Sequence, residues 1–524
     1  MKKILGLFPR TVLLTLIVAT AMAGCKVEGR LPFLRHSTAA PRMTPIQNRS
    51  TRELQEEAML PELRSLLSEL EDLTVYDIRV EIDFPAGEYS AEMIVKYRNQ
   101  EDTALDRLYF RLYPNGGKSY GSGLIQVSNI SAGGRIKDTM YSLEDSALEV
   151  IFIEPLEQGQ AVELSIDFSG KVPTDFEGSG YGIYNKSQDM MVMANWFPIL
   201  VVYDDEGWNL DPVSGIGDSV YSESSFFQVS IRVPNKTTLA ATGTEISRNH
   251  GSDGWDEIQY VSGPVRDFIL ALGPKLDVLS SDKQGIKIHS YYRPGHRKRA
   301  RQALEIASRS VEIFNQKFGE YPFRELDVVD TPLNYAAGVE YPGLVLIKSS
   351  LYDDPTSDDT TFEIVTTHEV AHQWWYSVVG NDVIDEPWLD EALATYSSAV
   401  YYQVAEGQNS YQQIINNYRR SYRQAKNMGL DDPLTKGLGY FESTEARRQA
   451  YSPVVYNKGA LFYHTLEKEI GEDAFFQALQ SYYTAQRFGI GEPQEILSAF
   501  EDSASRELDD VYREWLYQPT APRE

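Results

Sequence analysis

Residues 366–396 read TTHEVAHQWWYSVVGNDVIDEPWLDEALATY, and this stretch concentrates the chemistry of the chain. It holds His368, Glu369 and His372, then eighteen residues, then Glu391. His-Glu-x-x-His on a helix is the signature of a zinc site. At 3.6 residues per turn, His368 and His372 share one face and reach one metal. Glu369 projects from the adjoining face, where it acts on water without being a ligand. Two imidazoles leave a catalytic zinc one protein ligand short. Glu391 is the best third ligand, because it opens a second apolar-periodic segment (Leu389, Ala392, Leu393, Tyr396) that reads as a packed helix. The plainer alternative is two surface histidines on a helix. Asp382, Asp385 and Glu386 are the candidate partners that would orient the ligand histidines, and the pattern does not choose among them. Trp374 and Trp375 read as core. His289, His296 and His464 lack ligand spacing and read as surface or packing residues.

The elements that must position this stretch follow from texture. Residues 75–279 alternate short Val-, Ile-, Tyr- and Phe-rich runs with Gly, Pro, Asn and Asp, which predicts an antiparallel β domain. Residues 280–524 turn mostly helical, with strands expected at Glu325–Val329 and Leu344–Ile347, helices over Arg297–Phe318, Phe362–Val379 and Leu389–Gln403, and further helices to about Tyr517. The basic run Arg297, Lys298, Arg299, Arg301 reads as a solvated helix face. The fold class expected is therefore α+β, a β domain followed by a mixed α/β domain. Before them, Glu53–Leu73 carries a helical stripe that Pro61 should kink or divide.

The first 24 residues have a secretory layout: Lys2 and Lys3, an apolar run over Thr11–Ala23, then Met22-Ala23-Gly24-Cys25. Small residues before the single cysteine resemble a bacterial lipobox. The expectation is a signal peptide over residues 1–24, a lipid anchor at Cys25, and a tether with a short helical segment over 25–74. That would place the protein outside the cytoplasm, held to a membrane as a lipoprotein. The alternative is an ordinary cleaved signal with a chance cysteine. Net charge is −27, which argues against nucleic acid as a partner, since phosphate binding needs a basic surface.

The zinc stretch resembles the aminopeptidase N-like family of gluzincin metallopeptidases, which has HExxH, eighteen residues and Glu in a segment like WLNEGFA. Here the last reads Trp388-Leu389-Asp390-Glu391-Ala392-Leu393-Ala394. Three further segments match in order. The Gly-x-Met-Glu-Asn exopeptidase motif is similar to Ala337-Gly338-Val339-Glu340-Tyr341, the catalytic-tyrosine segment resembles Tyr456-Asn457-Lys458-Gly459-Ala460, and an upstream tyrosine looks like Tyr451. The resemblance implies a thermolysin-like catalytic domain and one zinc ion per chain on His368, His372 and Glu391. It also implies Glu369 as general base and acid, Tyr456 as oxyanion donor, and Gly338, Glu340 and Tyr451 on a peptide substrate. Glu340 would take the substrate's free ammonium through a charge-assisted bond.

The sequence departs from the family at three places. Ala337, Val339 and Tyr341 replace Gly, Met and Asn of the exopeptidase motif. The Gln or Glu that the β domain usually adds to the ammonium site has no match before Trp196, where Asn195 is the nearest polar residue. The family's large carboxyl-terminal helical domain has no counterpart after Glu514-Trp515-Leu516. The reading is an aminopeptidase on short peptides. An endopeptidase or other amide hydrolase with an open cleft, or a non-catalytic zinc-binding surface protein, are the alternatives.

Overall fold

A computed structural model describes residues 50–187, 189–353 and 359–518. The expected signal segment, Cys25 and most of the tether lie outside these residues. Among the described residues no helix is long and apolar enough to cross a membrane.

The chain enters through a short helix, Thr51–Ala58, closed by a reciprocal capping box between Ser50 and Glu53. Pro61 then opens a separate 3₁₀ segment, Pro61–Glu69, so the proline divides the stripe as expected. Val75–Asp83 is the centre of a seven-stranded sheet. Its Tyr76, Ile78, Val80 and Ile82 are buried while the intervening residues are partly exposed, the period-two pattern of a strand with one core face. In sheet order the strands are Thr244–His250, Trp255–Val261, Phe226–Pro234, Val75–Asp83, Glu88–Arg98, Ala161–Lys171 and Leu124–Ser131. Val75–Asp83 and Phe226–Pro234 run parallel, so the β domain is not purely antiparallel. A parallel pair needs a long crossover, and the two strands are separated by the rest of the domain. Two four-stranded sheets and a two-stranded hairpin, Tyr203–Asp204 with Gly207–Trp208, complete the region.

The second region begins with Asp277–Lys283, the first edge of a five-stranded sheet. The order continues Ile286–Tyr292, Glu325–Thr331, Leu344–Lys348 and Gly338–Tyr341. The helix Arg297–Lys317 makes the crossover between the parallel strands Ile286–Tyr292 and Glu325–Thr331. Its basic start is not wholly solvated: Arg299 is 1% exposed, with its guanidinium 5.0 Å from the Phe362 ring. Helices from Asp359 onward pack beside this sheet. Trp374 and Trp375 are buried core residues, as expected, and Trp388 is buried as well.

Candidate metal and peptide site

The helix Asp359–Ala371 carries His368 and Glu369 in its last turn, and His372 follows directly. The helix stops eight residues before the expected end at Val379. The chain turns back on itself: the Ser377 N–H donates to the His372 carbonyl at 2.9 Å, and Tyr376 adopts φ +136°. A buried arginine from the β domain holds this turn. Arg266 donates to the carbonyls of Tyr376 (2.8 Å), Ser222 (3.0 Å) and Gly489. Gly380 leaves it room, because a Cβ there would run into the guanidinium. The second helix, Trp388–Glu406, starts after Pro387 and presents Glu391 in its first turn. Free backbone N–H groups at that end favour a carboxylate, and Glu391 N–H is itself bonded to Asp390 Oδ1 at 2.8 Å.

Three donor atoms converge. His368 Nε2 and His372 Nε2 are 3.1 Å apart, and Glu391 Oε2 lies 3.2 Å from the first and 3.4 Å from the second. A tetrahedral zinc with bonds of about 2.0–2.1 Å needs ligand atoms about 3.3 Å apart. The donor triangle therefore already has the size that the ion requires. His372 Nδ1 lies 3.0 Å from the Trp375 carbonyl, which fixes the tautomer that leaves Nε2 as the donor to a metal. Asp382, one of the acids proposed for this orienting role, does something else. Asp382 Oδ1 accepts the N–H groups of Ile384 (2.8 Å) and Asp385 (3.0 Å), and caps the turn before the second helix.

The electrostatics call for a cation. Glu340, Glu369, Asp390 and Glu391 are all buried around two imidazoles. Burial and the adjacent Glu340 carboxylate hold Glu369 well above the usual carboxylate range. Burial also raises Glu340, against the opposing pull of His372. Burial would raise Glu391 too, but its bonds from His368 and His372 outweigh that and hold it well below the usual range. Three carboxylates within reach of two imidazoles are the donor set of a divalent ion, not of an apolar core.

The edge strand Gly338–Tyr341 brings the remaining groups to the same place. It pairs antiparallel with Leu344–Lys348. Gln373, next to His372, staples this hairpin to the metal-motif helix: its amide donates to the Tyr341 carbonyl at 3.0 Å and accepts the Gly343 N–H at 2.8 Å. Gly338 lies against Glu369, and a Cβ there would strike its carboxylate. Glu340 Oε1 is 3.9 Å from His372 Nε2. Tyr456 lies in a π-helical turn, Pro453–Lys458, a local widening frequent at functional sites. Its hydroxyl donates to Glu391 Oε1, and its ring stacks on His368 at 5.8 Å. Tyr451 packs edge-on against Tyr456, also at 5.8 Å.

Gly338, Glu340, His368, Glu369, His372, Glu391, Tyr451 and Tyr456 are thus assembled in one place. Asn195 is not with them. It is fully buried, accepts from Tyr120 at 2.5 Å and donates to Asp267. The β domain contributes a different acid. The loop containing Gly217 packs on the Tyr451 hydroxyl. The next residue, Asp218, is lifted well above the usual range by burial and by Glu340. No sequence motif marked it, because its loop is brought to the site by the docking of two domains.

Residues 302–515 match the family described as Peptidase family M1 domain. Aminopeptidase N of Streptomyces lividans is 25% identical over 303 residues, 55% of this chain and 35% of that protein. Probable aminopeptidase 1 of Saccharolobus solfataricus is 22% identical over 463 residues, 84% of this chain and 53% of that one. The chain thus spans about half or less of the length of these curated relatives. The solved M1 zinc metallopeptidase of Deinococcus radiodurans superposes with a TM-score of 0.63 at 18% identity, covering 86% of this chain and 95% of that one. A variant of that protein was solved bound to a Tyr-Ser-Ala substrate. The donor triangle and the glutamate beside it both fall within residues 302–515, the part of the chain that matches the Peptidase family M1 domain.

Proposed function

We propose that this protein is a zinc-dependent aminopeptidase that removes residues from the free amino end of short peptides. One observation carries the reading: Glu340 holds a buried carboxylate beside Glu369 and 3.9 Å from the donor triangle. His368, His372 and Glu391 would hold the zinc. A bound zinc supplies Lewis acidity, lowering the pKa of water and polarising a carbonyl. Glu369 takes the proton from the attacking water and returns it to the leaving amine. Its raised proton affinity suits the second half of that cycle. Tyr456 donates its hydroxyl to the developing oxyanion without adding charge. Glu340 pairs with the substrate's α-ammonium, and this fixes the scissile bond one residue from the end.

Replacing Glu340 by Ala tests the amine contact. The expected result is a fall of ~10²-fold in kcat/KM on free-amino peptides, the loss of one charge-assisted bond in a buried site, with zinc content unchanged. Unchanged hydrolysis would remove Glu340 from the site, and equal cleavage of amino-acetylated peptides by the native protein would favour the endopeptidase. The lipobox-like end supports a further proposal: a lipoprotein outside the cytoplasm, anchored at Cys25. Retention of a Cys25→Ser variant in the membrane fraction would contradict it.

A further inference from the structure

The face of the catalytic sheet that meets the β domain carries a second group of metal-ligand side chains. His289 and Asp327 are paired in register on the parallel strands Ile286–Tyr292 and Glu325–Thr331, so their side chains leave the same face side by side. Glu325 stands two residues before Asp327 on that face. A ring nitrogen of His289, one oxygen of Glu325 and one of Asp327 lie within 4.8 Å of one another. His289 is already oriented: its Nδ1 is 2.6 Å from the Ser280 hydroxyl, and its Nε2 points to Glu325 Oε1 at 3.9 Å. That is how a metal-binding histidine is held, with one nitrogen engaged and the other free to coordinate.

Asp327 shows that something is missing from a purely protein account. It is 1% exposed, and neither carboxylate oxygen has a hydrogen-bond partner. A buried carboxylate left unpaired costs several kcal/mol. Lys287 and Arg324 lie near enough to Glu325 to favour its charged form, but no described cation does this for Asp327. The β domain does not relieve the charge either. It brings Glu245 and Tyr260 to this seam, and Tyr260 O–H is 3.3 Å from Glu245 Oε2. His289 and Glu325 remain 20% and 11% exposed along their side chains, so an ion has a way in.

We propose that His289, Glu325 and Asp327 form a second divalent-cation site, at the seam of the β domain and the catalytic sheet. One imidazole and two carboxylates suit zinc and neighbouring first-row ions. Bonds of about 2.0–2.2 Å would draw the three donors in from their present spacing. The site does not touch the donor triangle of His368, His372 and Glu391, and its existence does not depend on the peptidase reading. A cation there neutralises Asp327.

The test counts zinc in the full chain after equilibration with Zn²⁺ and passage through metal-free buffer. The native protein is expected to keep two ions. Asp327→Asn should keep one, and a His368→Ala, His372→Ala double variant should also keep one. Adding Zn²⁺ to that double variant should raise its Tm by ~2–4 °C, and adding Asp327→Asn should abolish the rise. If Asp327→Asn does not fold, His289→Gln at the partly exposed position gives the same count. One ion in the native protein with none in the double variant overturns the proposal. So does an unchanged count of two in both Asp327→Asn and His289→Gln.

Discussion

At the scale of single residues, the proposed mechanism divides the work between Glu369 and Tyr456: one would move a proton, the other would meet negative charge. They fail differently. Glu369→Gln keeps the shape and the donor triangle but cannot accept a proton. Its expected loss is ~10²–10⁴-fold in kcat, with one zinc at the triangle still present by metal analysis. Tyr456→Phe removes only the hydroxyl. A loss of ~10²–10³-fold in kcat with little change in KM is expected. Gly338→Ala should be nearly as damaging, because its Cβ would displace the Glu369 carboxylate; rates comparable to the native protein would show that Glu369 has freedom to move. His368 and His372 were legible because helical spacing puts them on one face, Glu369 because it falls on the adjoining face, and Glu391 because it opens the next apolar-periodic segment. Glu340 and Tyr456 were legible through family motifs. Gln373 and Asp218 were not: each acts across elements, and no local spacing records that.

At the scale of elements, the sharp end of the metal-motif helix decides the geometry. Apolar periodicity predicted a helix to Val379, since Trp374, Trp375, Val378 and Val379 are all core residues. Periodicity cannot report a turn whose stabilising partner comes from another domain. That partner is Arg266, whose fork binds three carbonyls at once. Arg266→Met would keep the apolar bulk and leave those carbonyls unpaired. The expected destabilisation is about 3 kcal/mol or more, read as a lower urea midpoint, together with weaker zinc retention as the turn after His372 loosens. That residues 75–279 form short strands was legible, because one buried face imposes a period of two. Their partners were not, and the parallel pairing of Val75–Asp83 with Phe226–Pro234 needed the structure. Arg299 was misread for a related reason: a basic run looks solvated until a neighbouring helix covers one member with Phe362.

At the scale of the whole molecule, the order of a β domain before a thermolysin-like α/β domain was visible in texture and then in the motif order. How the two meet was not, because the seam is made by buried polar groups from distant parts of the chain. Asp267, next to Arg266 in the chain, is a buried carboxyl of the β domain. Burial pushes its carboxyl up to about 7, while the bonds from the Phe268 N–H and Asn195 pull the other way. The folded protein thus binds a proton there between about pH 4 and 7 that the unfolded chain has lost. That contribution to stability is complete below pH 4 and is lost as pH rises through 7. In Asp267→Asn the slope of stability against pH over this window should flatten by up to about 1.4 kcal/mol per pH unit, measured by urea unfolding at several pH values. An unchanged slope would assign the titration to another group. The most direct measurement is a mass-spectrometric cleavage profile of the zinc-loaded protein on a library of short peptides, half of them amino-acetylated. The expected result is release of single residues from free amino termini, with the acetylated half intact. Internal cuts in both halves, or no cleavage by a protein that holds its zinc, would contradict it.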